Sequence, residues 1–206
     1  MHAPFEHLEV VYRILKYLKG SPRKGLFFKK GQTRTIKGYT NADWAGSVED
    51  RRSTSGYCKF VWGNLVTWRS KKQTIVARSS AKAELWAIAH GICELLWLKR
   101  LLEESGVTRI MPINMYYDNK ATINISHNPV HHDQTKHVEV DCHFMKENIE
   151  DGTVYMIYVP TSEQVVDLLT KALTRRPFEQ QITKLGIETC TTQLEGDHWK
   201  LESNII

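Results

Sequence analysis

The chain has 206 residues, 41% hydrophobic and 25% charged, which is typical of one globular domain with tails. Its net charge of +5 favours a polyanionic partner only weakly. The four cysteines contain no C-x-x-C pair, which argues against a disulfide framework and a cysteine zinc site. The N-terminal sequence MHAPFEHLEV predicts no signal peptide, and no apolar run approaches membrane-spanning length.

Residues 1–34 are predicted to form an N-terminal helix and a linker. Residues 5–18 have helical periodicity, with one apolar stripe consisting of Leu8, Val11, Tyr12, Leu15 and Leu18. A short apolar strand is predicted over residues 26–28. The stretch Ile36–Asp43 alternates between two faces and predicts a longer strand that ends at a carboxylate.

A β-hairpin follows a polar connection. The β-rich runs 57–62 and 65–69 are separated by Gly63 and Asn64, which suits a two-residue primed turn. Three antiparallel strands are therefore predicted before the first long helix.

The second half alternates helices with strands. Ser79 or Ser80 is the predicted N-cap of a helix over residues 81–104, and Thr161 or Ser162 is the predicted cap of a helix that contains Asp167. The remaining predictions, in chain order, are a strand over Ile113–Tyr117, a helix over 119–126, a polar loop over 127–136, a helix over 138–150, a strand over 153–159 and a helix over 180–185.

This order of elements predicts an α/β fold. Because helical crossovers reach the last two strands, these strands should be parallel to the first strand. We expect a mixed five-stranded sheet, with three antiparallel strands followed by two parallel strands and helices on both faces. The domain should span residues 35–187, and residues 188–206 should form a tail.

Four acidic residues occupy comparable positions in these elements. Asp43 and Asp118 end strands, whereas Glu84 and Asp167 lie near the starts of helices. In an α/β sheet these positions share one edge. Four carboxylates there would repel one another unless cations held them, and Mg²⁺ prefers oxygen ligands of this kind. Asp43 could instead only cap a turn, and Asp118 could only cap the helix predicted after it.

Long motifs carry a resemblance to a known family. They are GYTNADWAGSVEDRRSTSGY (38–57), WRSKKQTIVARSSAKAE (68–84), YYDNKATINISHNP (116–129), QTKHVEVDCHF (134–144) and EQVVDLLTKAL (163–173). Over residues 8–187 the chain resembles the ribonuclease H domain of copia-type LTR retrotransposon Pol polyproteins. The predicted N-terminal helix resembles the segment that connects this domain to the reverse transcriptase.

The resemblance implies a function and a set of site residues. Asp43, Glu84, Asp118 and Asp167 would be the catalytic metal ligands for two Mg²⁺ ions, with Mn²⁺ as a possible substitute. The enzyme would hydrolyse the RNA strand of an RNA–DNA hybrid. Its partners would be that hybrid and the reverse transcriptase portion of the parent polyprotein, with no membrane. The location would be a cytoplasmic virus-like particle or the nucleus.

Two departures from the family pattern favour an alternative. Lys82 replaces the acid of the helix-capping box, and the loop 160–163 lacks the mobile histidine of cellular relatives. The alternative is a catalytically inactive remnant that binds nucleic acid or has a structural role. An integrase-like nuclease would require the acid order Asp, Asp, Glu, whereas Glu84 is second here.

Candidate substrate contacts come from basic residues. Arg51, Arg52, Lys71 and Lys72 could bind the nucleic-acid backbone, or could be solvated surface charges. His137 matches a motif position of the family and could contact a substrate phosphate, or could make a hydrogen bond at the start of a helix. The histidines around residues 127–143 could also form a zinc site, but no cysteine pair accompanies them.

Overall fold

The computed structural model describes residues 3–31, 33–107, 113–120, 122 and 136–189. Their elements, in chain order, are α1 (Ala3–Lys19), β1 (Lys24–Leu26), β2 (Ile36–Asp43), β3 (Thr54–Val61), β4 (Asn64–Lys72), α2 (Ser80–Glu104), β5 (Ile113–Tyr117), α3 (Lys136–Glu150), β6 (Val154–Tyr158), α4 (Asp167–Thr170), α5 (Arg175–Lys184) and β7 (Ile187–Thr189). Among the described residues, no helix has the length and hydrophobicity needed to cross a membrane.

The chain contains two compact units. The smaller unit comprises the described parts of Met1–Leu26 and Ile187–Ile206. It contains α1 and an antiparallel pair of short strands, β1 and β7. The predicted N-terminal helix is confirmed, and its apolar stripe is exposed. The strand predicted at residues 26–28 begins two residues earlier, and β7 was not predicted.

The larger unit, Phe27–Gly186, is built on a five-stranded sheet. The strand order is β4-β3-β2-β5-β6, with β4, β3 and β2 antiparallel and with β2, β5 and β6 parallel. This confirms the predicted mixed sheet. Because β2 and β5 are parallel neighbours, Asp43 and Asp118 lie at the same carboxyl edge of the sheet.

Helices cover both faces of this sheet. Gly38 of β2 faces α2 so closely that an added Cβ would lie 2.6 Å from Leu95 Cδ1. Asn41, on the opposite face of β2, donates a side-chain hydrogen bond to Asp167 of α4. An extensive apolar cluster of the described residues lies on the α2 side and includes Ile36, Ile88, Ile92, Ile113 and Met145.

The hairpin turn lies one residue earlier than predicted. β3 ends at Val61 and β4 begins at Asn64, so the loop residues are Trp62 and Gly63, with φ of 53° and 82°. Positive φ at both positions is the signature of a type I′ turn. Asn64 belongs to the strand, and its side-chain amide pairs with the backbone of Lys29 through bonds of 2.7 and 2.8 Å.

The segment before α4 also differs from the prediction. Thr161–Glu163 forms a single 3₁₀ turn, and the helix containing Asp167 is a separate four-residue segment. Its N-cap is Val166, which makes no side-chain capping bond, so the prediction of Thr161 or Ser162 as the cap is wrong. Of the short helix predicted over 119–126, only residues 119, 120 and 122 are described, and the loop 127–135 lies outside the described residues.

Candidate active site

Glu84 is buried at the start of α2. Ser79 is the N-cap of this helix, because its side chain accepts a hydrogen bond of 3.2 Å from the backbone N–H of Lys82. Glu84 lies one turn further on, and its Oε1 accepts a hydrogen bond of 2.9 Å from the backbone N–H of Ala42. Its Oε2 is buried without a hydrogen-bond partner among the described residues. The helix start therefore places one carboxylate oxygen against β2 and leaves the other uncompensated.

Asp167 is the buried acid of α4. Its Oδ1 accepts hydrogen bonds from Asn41 Nδ2 and, at 3.0 Å, from Lys171 Nζ. Lys171 lies four residues along the chain, which places it on the same side of the helical segment. These two donors fix the carboxylate on the face of the sheet opposite α2.

Asp118 follows β5 directly. Its Oδ2 accepts a hydrogen bond of 3.2 Å from Thr161 Oγ1, in the 3₁₀ turn after β6. The ends of two neighbouring parallel strands are thereby joined at the site.

Asp43 has a different environment from the other three acids. It ends β2 and faces back onto its own turn, where a Cβ at Gly46 would lie 1.9 Å from Asp43 Oδ2. Only glycine leaves room for the carboxylate at that point. Within the described residues, the Asp43 carboxylate makes no hydrogen bond or ion pair.

The electrostatics of the site couple three of the acids. Burial raises the pKa of Glu84 to about 8, and repulsion from Asp118 and Asp167 adds to the effect, whereas the Ala42 N–H and Lys171 oppose it. Burial also raises the pKa of Asp118, with a further contribution from Asp167. The structure therefore brings Glu84, Asp118 and Asp167 into one charge cluster with Lys171.

The donor set suits a hard divalent cation. Carboxylate oxygens are the ligands that Mg²⁺ prefers. The unpartnered Glu84 Oε2 and the raised pKa values of Glu84 and Asp118 indicate that the positive charge of Lys171 alone does not compensate the carboxylates. In the described part of the chain, however, no three acidic, histidine or cysteine side chains converge on one point at metal-ligand distance. Holding an ion would therefore require these side chains, Asp43 above all, to reorient.

Two of the predicted substrate-binding cations are engaged with an acid. Arg52 contacts Asp50 Oδ2 at 2.6 Å, and Lys72 Nζ lies 3.1 Å from the same oxygen. Hydrogen bonds from Ser47 and Arg52 hold the pKa of Asp50 well below its ordinary range. Arg51 is exposed in the same loop, with a φ of 55°.

Lys71 and Lys72 also line a cavity of about 280 Å³ between β4 and α2. On the helix side its walls include Trp86, His90 and Glu94. His137 lies in the first turn of α3, and its side chain is outside the described part of the chain. Of the predicted cations, Arg52 and Lys72 thus contact Asp50, and Lys71 and Lys72 line the cavity.

The residues that hold the acids were not predicted from the sequence. Asn41 lies two positions before Asp43 on the same face of β2, and Lys171 lies four positions after Asp167, so strand and helix periodicity could have indicated both. Thr161 was interpreted as a helix cap, and its contact with Asp118 depends on the pairing of β5 with β6.

Comparison with known proteins gives clear relatives among transposon polyproteins. The chain is 39% identical over 188 residues to the retrovirus-related Pol polyprotein from transposon RE1 of Arabidopsis thaliana, covering 91% of this chain and 13% of the relative. It is 37% identical over 174 residues to the Pol polyprotein from transposon TNT 1-94 of Nicotiana tabacum, covering 84% of this chain and 13% of the relative. The chain therefore spans about an eighth of the length of these relatives. No family model matches it.

Among solved structures, the chain is similar to LC11-RNase H1 in complex with RNA/DNA hybrid. The sequence identity is 14% and the TM-score is 0.45, covering 66% of this chain and 93% of that chain. At this TM-score the likeness does not establish the fold, which is defined by the strand order itself. The resemblance to Pol polyproteins is confirmed by the sequence relatives: this chain is homologous, along most of its length, to one segment of the retrovirus-related Pol polyproteins of transposons.

Proposed function

We propose that this chain hydrolyses the RNA strand of RNA–DNA hybrids, as the ribonuclease H segment of a retrotransposon Pol polyprotein. The observation that carries the proposal is the charge cluster that buried Glu84 and Asp167 form with half-buried Asp118 at the carboxyl edge of the sheet, with Asp43 at the end of β2. Homology to transposon polyproteins supplies the context, in which hybrids arise during reverse transcription and the reverse transcriptase portion is a partner.

Divalent ions complete the proposed chemistry. Two Mg²⁺ ions, when bound, would activate the attacking water and stabilise the leaving 3′ oxygen of the RNA. Asp43, Glu84, Asp118 and Asp167 are the ligands we assign to them. The Ala42 N–H fixes Glu84 Oε1 and leaves Oε2 available, while Asn41 and Lys171 hold Asp167 through Oδ1.

The remaining groups position the polyanionic substrate. Arg51 and Lys71 are exposed cations next in sequence to Asp50 and to Lys72, which contact each other, and they are suited to contacts with phosphate oxygens. Such contacts fix the register of a duplex without reading its sequence. We therefore expect cleavage with little sequence preference.

A catalytically inactive remnant that binds nucleic acid is the second candidate. It is favoured by one observation, namely that no three acids of the described chain converge at metal-ligand distance. A labelled RNA–DNA hybrid, incubated with the protein and millimolar Mg²⁺ and resolved on a gel, separates the two functions. The proposed enzyme cuts the RNA strand and leaves duplex DNA intact, and Asp43→Asn abolishes the cut. Hybrid binding without cleavage supports the remnant, and equal cutting of duplex DNA contradicts the proposal.

A further inference from the structure

Trp44 follows the carboxylate that ends β2 and is held in a fixed orientation. Its indole Nε1–H donates a hydrogen bond of 2.9 Å to the carbonyl oxygen of Ala77, in the loop that leads into α2. Ala77 is itself buried, so the acceptor is immobilised. The Trp44 side chain nevertheless remains 48% exposed. One edge of the ring is therefore anchored, while about half of the residue's surface is open to solvent, directly after Asp43 in the chain.

The backbone of this turn is constrained as well. Ala45 has a φ of 54°, in the left-handed region that an L-residue seldom adopts. Its N–H donates a hydrogen bond of 3.1 Å to Ser53 Oγ, and Ser53 is completely buried. Gly46 packs directly against the Asp43 carboxylate. Strain of this kind persists only where the surroundings determine the conformation, and it is concentrated at functional sites.

Anchoring the loop does not require an exposed ring. The hydrogen bond to Ala77 uses only the indole N–H, whereas much of the apolar surface of Trp44 is left in water. A rigid aromatic surface at this position can pack against a sugar or stack on a base, and such contacts tolerate any sequence. In the proposed function, the cleaved phosphodiester lies at the carboxylates of the site. One of them, Asp43, directly precedes Trp44 in the chain.

We propose that Trp44 is a substrate-contacting residue, whose exposed indole surface packs against the RNA strand at the nucleotide beside the cleaved phosphodiester. The inference rests on the proposed function and adds to it a contact that recognises the RNA strand through its sugar or base. Ala77 acts through Trp44, since its carbonyl sets the orientation of the ring.

Two substitutions at Trp44 distinguish a contact with the substrate from a role in anchoring the loop. Trp44→Phe retains an aromatic surface and removes the N–H, whereas Trp44→Ala removes both. Trp68→Ala is the matched control, because Trp68 is 52% exposed but lies on the edge strand β4. Binding is measured by fluorescence anisotropy of a labelled RNA–DNA hybrid with Ca²⁺, which neutralises carboxylates and accepts irregular oxygen coordination.

We expect Trp44→Ala to weaken hybrid binding about tenfold or more, the scale of one lost stacking contact. Trp44→Phe should bind within about threefold of the wild type, and Trp68→Ala should be unchanged. With Mg²⁺, Trp44→Ala should raise KM more than it lowers kcat.

Unchanged binding by Trp44→Ala overturns the inference, as does a wild-type protein that binds no hybrid. Equal weakening by Trp44→Phe and Trp44→Ala, with matching losses in Tm, also overturns it, because Trp44 would then only anchor the loop. If the binding pattern is as expected but no variant, wild type included, cleaves the hybrid with Mg²⁺, the proposed catalytic function fails while the contact stands.

Discussion

Glu84 Oε1 accepts a hydrogen bond of 2.9 Å from the backbone N–H of Ala42, the residue before Asp43. This bond connects the first turns of α2 to the end of β2. The other oxygen of the same carboxylate is buried and unpartnered within the described residues. One oxygen of Glu84 therefore holds the carboxylate against β2. The other is buried without a partner and would be stabilised by a cation or a proton.

The first prediction concerns the pH dependence that Glu84 imposes. Because its folded-state pKa of about 8 lies above the ordinary value of 4.5, folding favours the protonated form. The resulting stabilisation is complete below pH 4.5 and is lost as the pH rises through 8. Without divalent ions, the wild-type free energy of unfolding should fall across this range. The raised pKa of Asp118 acts in the same direction.

Glu84→Gln tests this prediction, because its amide oxygen can still accept the Ala42 N–H. At pH 9 in EDTA, the variant should be more stable than the wild type by about 1–3 kcal/mol, the usual scale for an uncompensated buried polar group. Urea melts at pH 5 and pH 9 measure the difference. A variant with the same pH dependence as the wild type would show that Glu84 is not the group that titrates. Cleavage of the hybrid should be lost at both pH values.

Much of the fold could be predicted because local patterns agree with tertiary structure. Ile36–Asp43 and Ile113–Tyr117 are strands at the predicted bounds, since the first alternates up to its terminal Asp43 and the second is an apolar run followed directly by Asp118. The hairpin turn was placed one residue late because Gly63 fits either turn. The side-chain amide of Asn64 pairs with the backbone of Lys29 and thereby favours the observed turn. Because these two residues are 35 positions apart, the sequence near the turn does not indicate this pairing.

The candidate site was less predictable than the sheet. The positions of the four acids at strand ends and helix starts could be predicted from the sequence. The orientation of Asp43 toward Gly46 could not, because it depends on a strained turn. The pairing of Asn41 with Asp167 joins residues 126 positions apart. Such contacts depend on the packing of α4 against the sheet, which sequence periodicity does not specify.

The second prediction concerns Asp118. Asp118→Asn removes one charge from the cluster and keeps an oxygen that can accept the Thr161 hydroxyl. Without divalent ions, the variant should melt at or above the wild type, because the repulsion and desolvation that raise the pKa of Asp118 disappear. Millimolar Mg²⁺ should raise the wild-type Tm by mass action and raise that of the variant less.

Hybrid cleavage completes this test, and most of it should be lost in Asp118→Asn. If Asp118 only caps the following helical turn, asparagine is an equally good cap. In that case stability, metal response and cleavage would all be unchanged. Normal cleavage by this variant would rule out the proposed active site.

The third prediction concerns Lys171, which is the cation of the apo cluster. Lys171→Met should destabilise the metal-free protein by about 1 kcal/mol, a value discounted because the lysine side chain is 36% exposed. Asp167 would lose an ion pair, and the carboxylates of Glu84 and Asp118 would lose a favourable charge. Mg²⁺ should then stabilise the variant more than the wild type, because it supplies the missing positive charge.

Lys146→Met is the control for Lys171→Met. Lys146 forms a comparable i,i+4 pair with Glu150, but both partners are exposed on α3. Its loss should cost about 0.5 kcal/mol or less and leave the Mg²⁺ response unchanged. Thermal melts with and without Mg²⁺ compare the two variants, and identical behaviour would mean that Lys171 is an ordinary surface ion pair.

The last prediction concerns Lys82, the N3 residue of α2. Ser79 is the N-cap, so a glutamate at position 82 could accept a hydrogen bond from the Ser79 backbone N–H and interact favourably with the helix dipole. Together these effects would stabilise the fold by about 0.5–1.5 kcal/mol.

The Lys82 side chain also makes a contact that the substitution would remove. Lys82 Nζ lies 5.6 Å from the centre of the Trp86 ring, and losing this cation–π contact costs about 0.5–1 kcal/mol. The net effect of Lys82→Glu on the unfolding free energy should thus lie between a loss of about 0.5 kcal/mol and a gain of about 1 kcal/mol. Lys82→Met loses the same contact without gaining the cap, so Lys82→Glu should exceed Lys82→Met in unfolding free energy by about 0.5–1.5 kcal/mol. Urea melts of the two variants make the comparison, and a glutamate variant no more stable than the methionine variant would contradict the capping role assigned to this position.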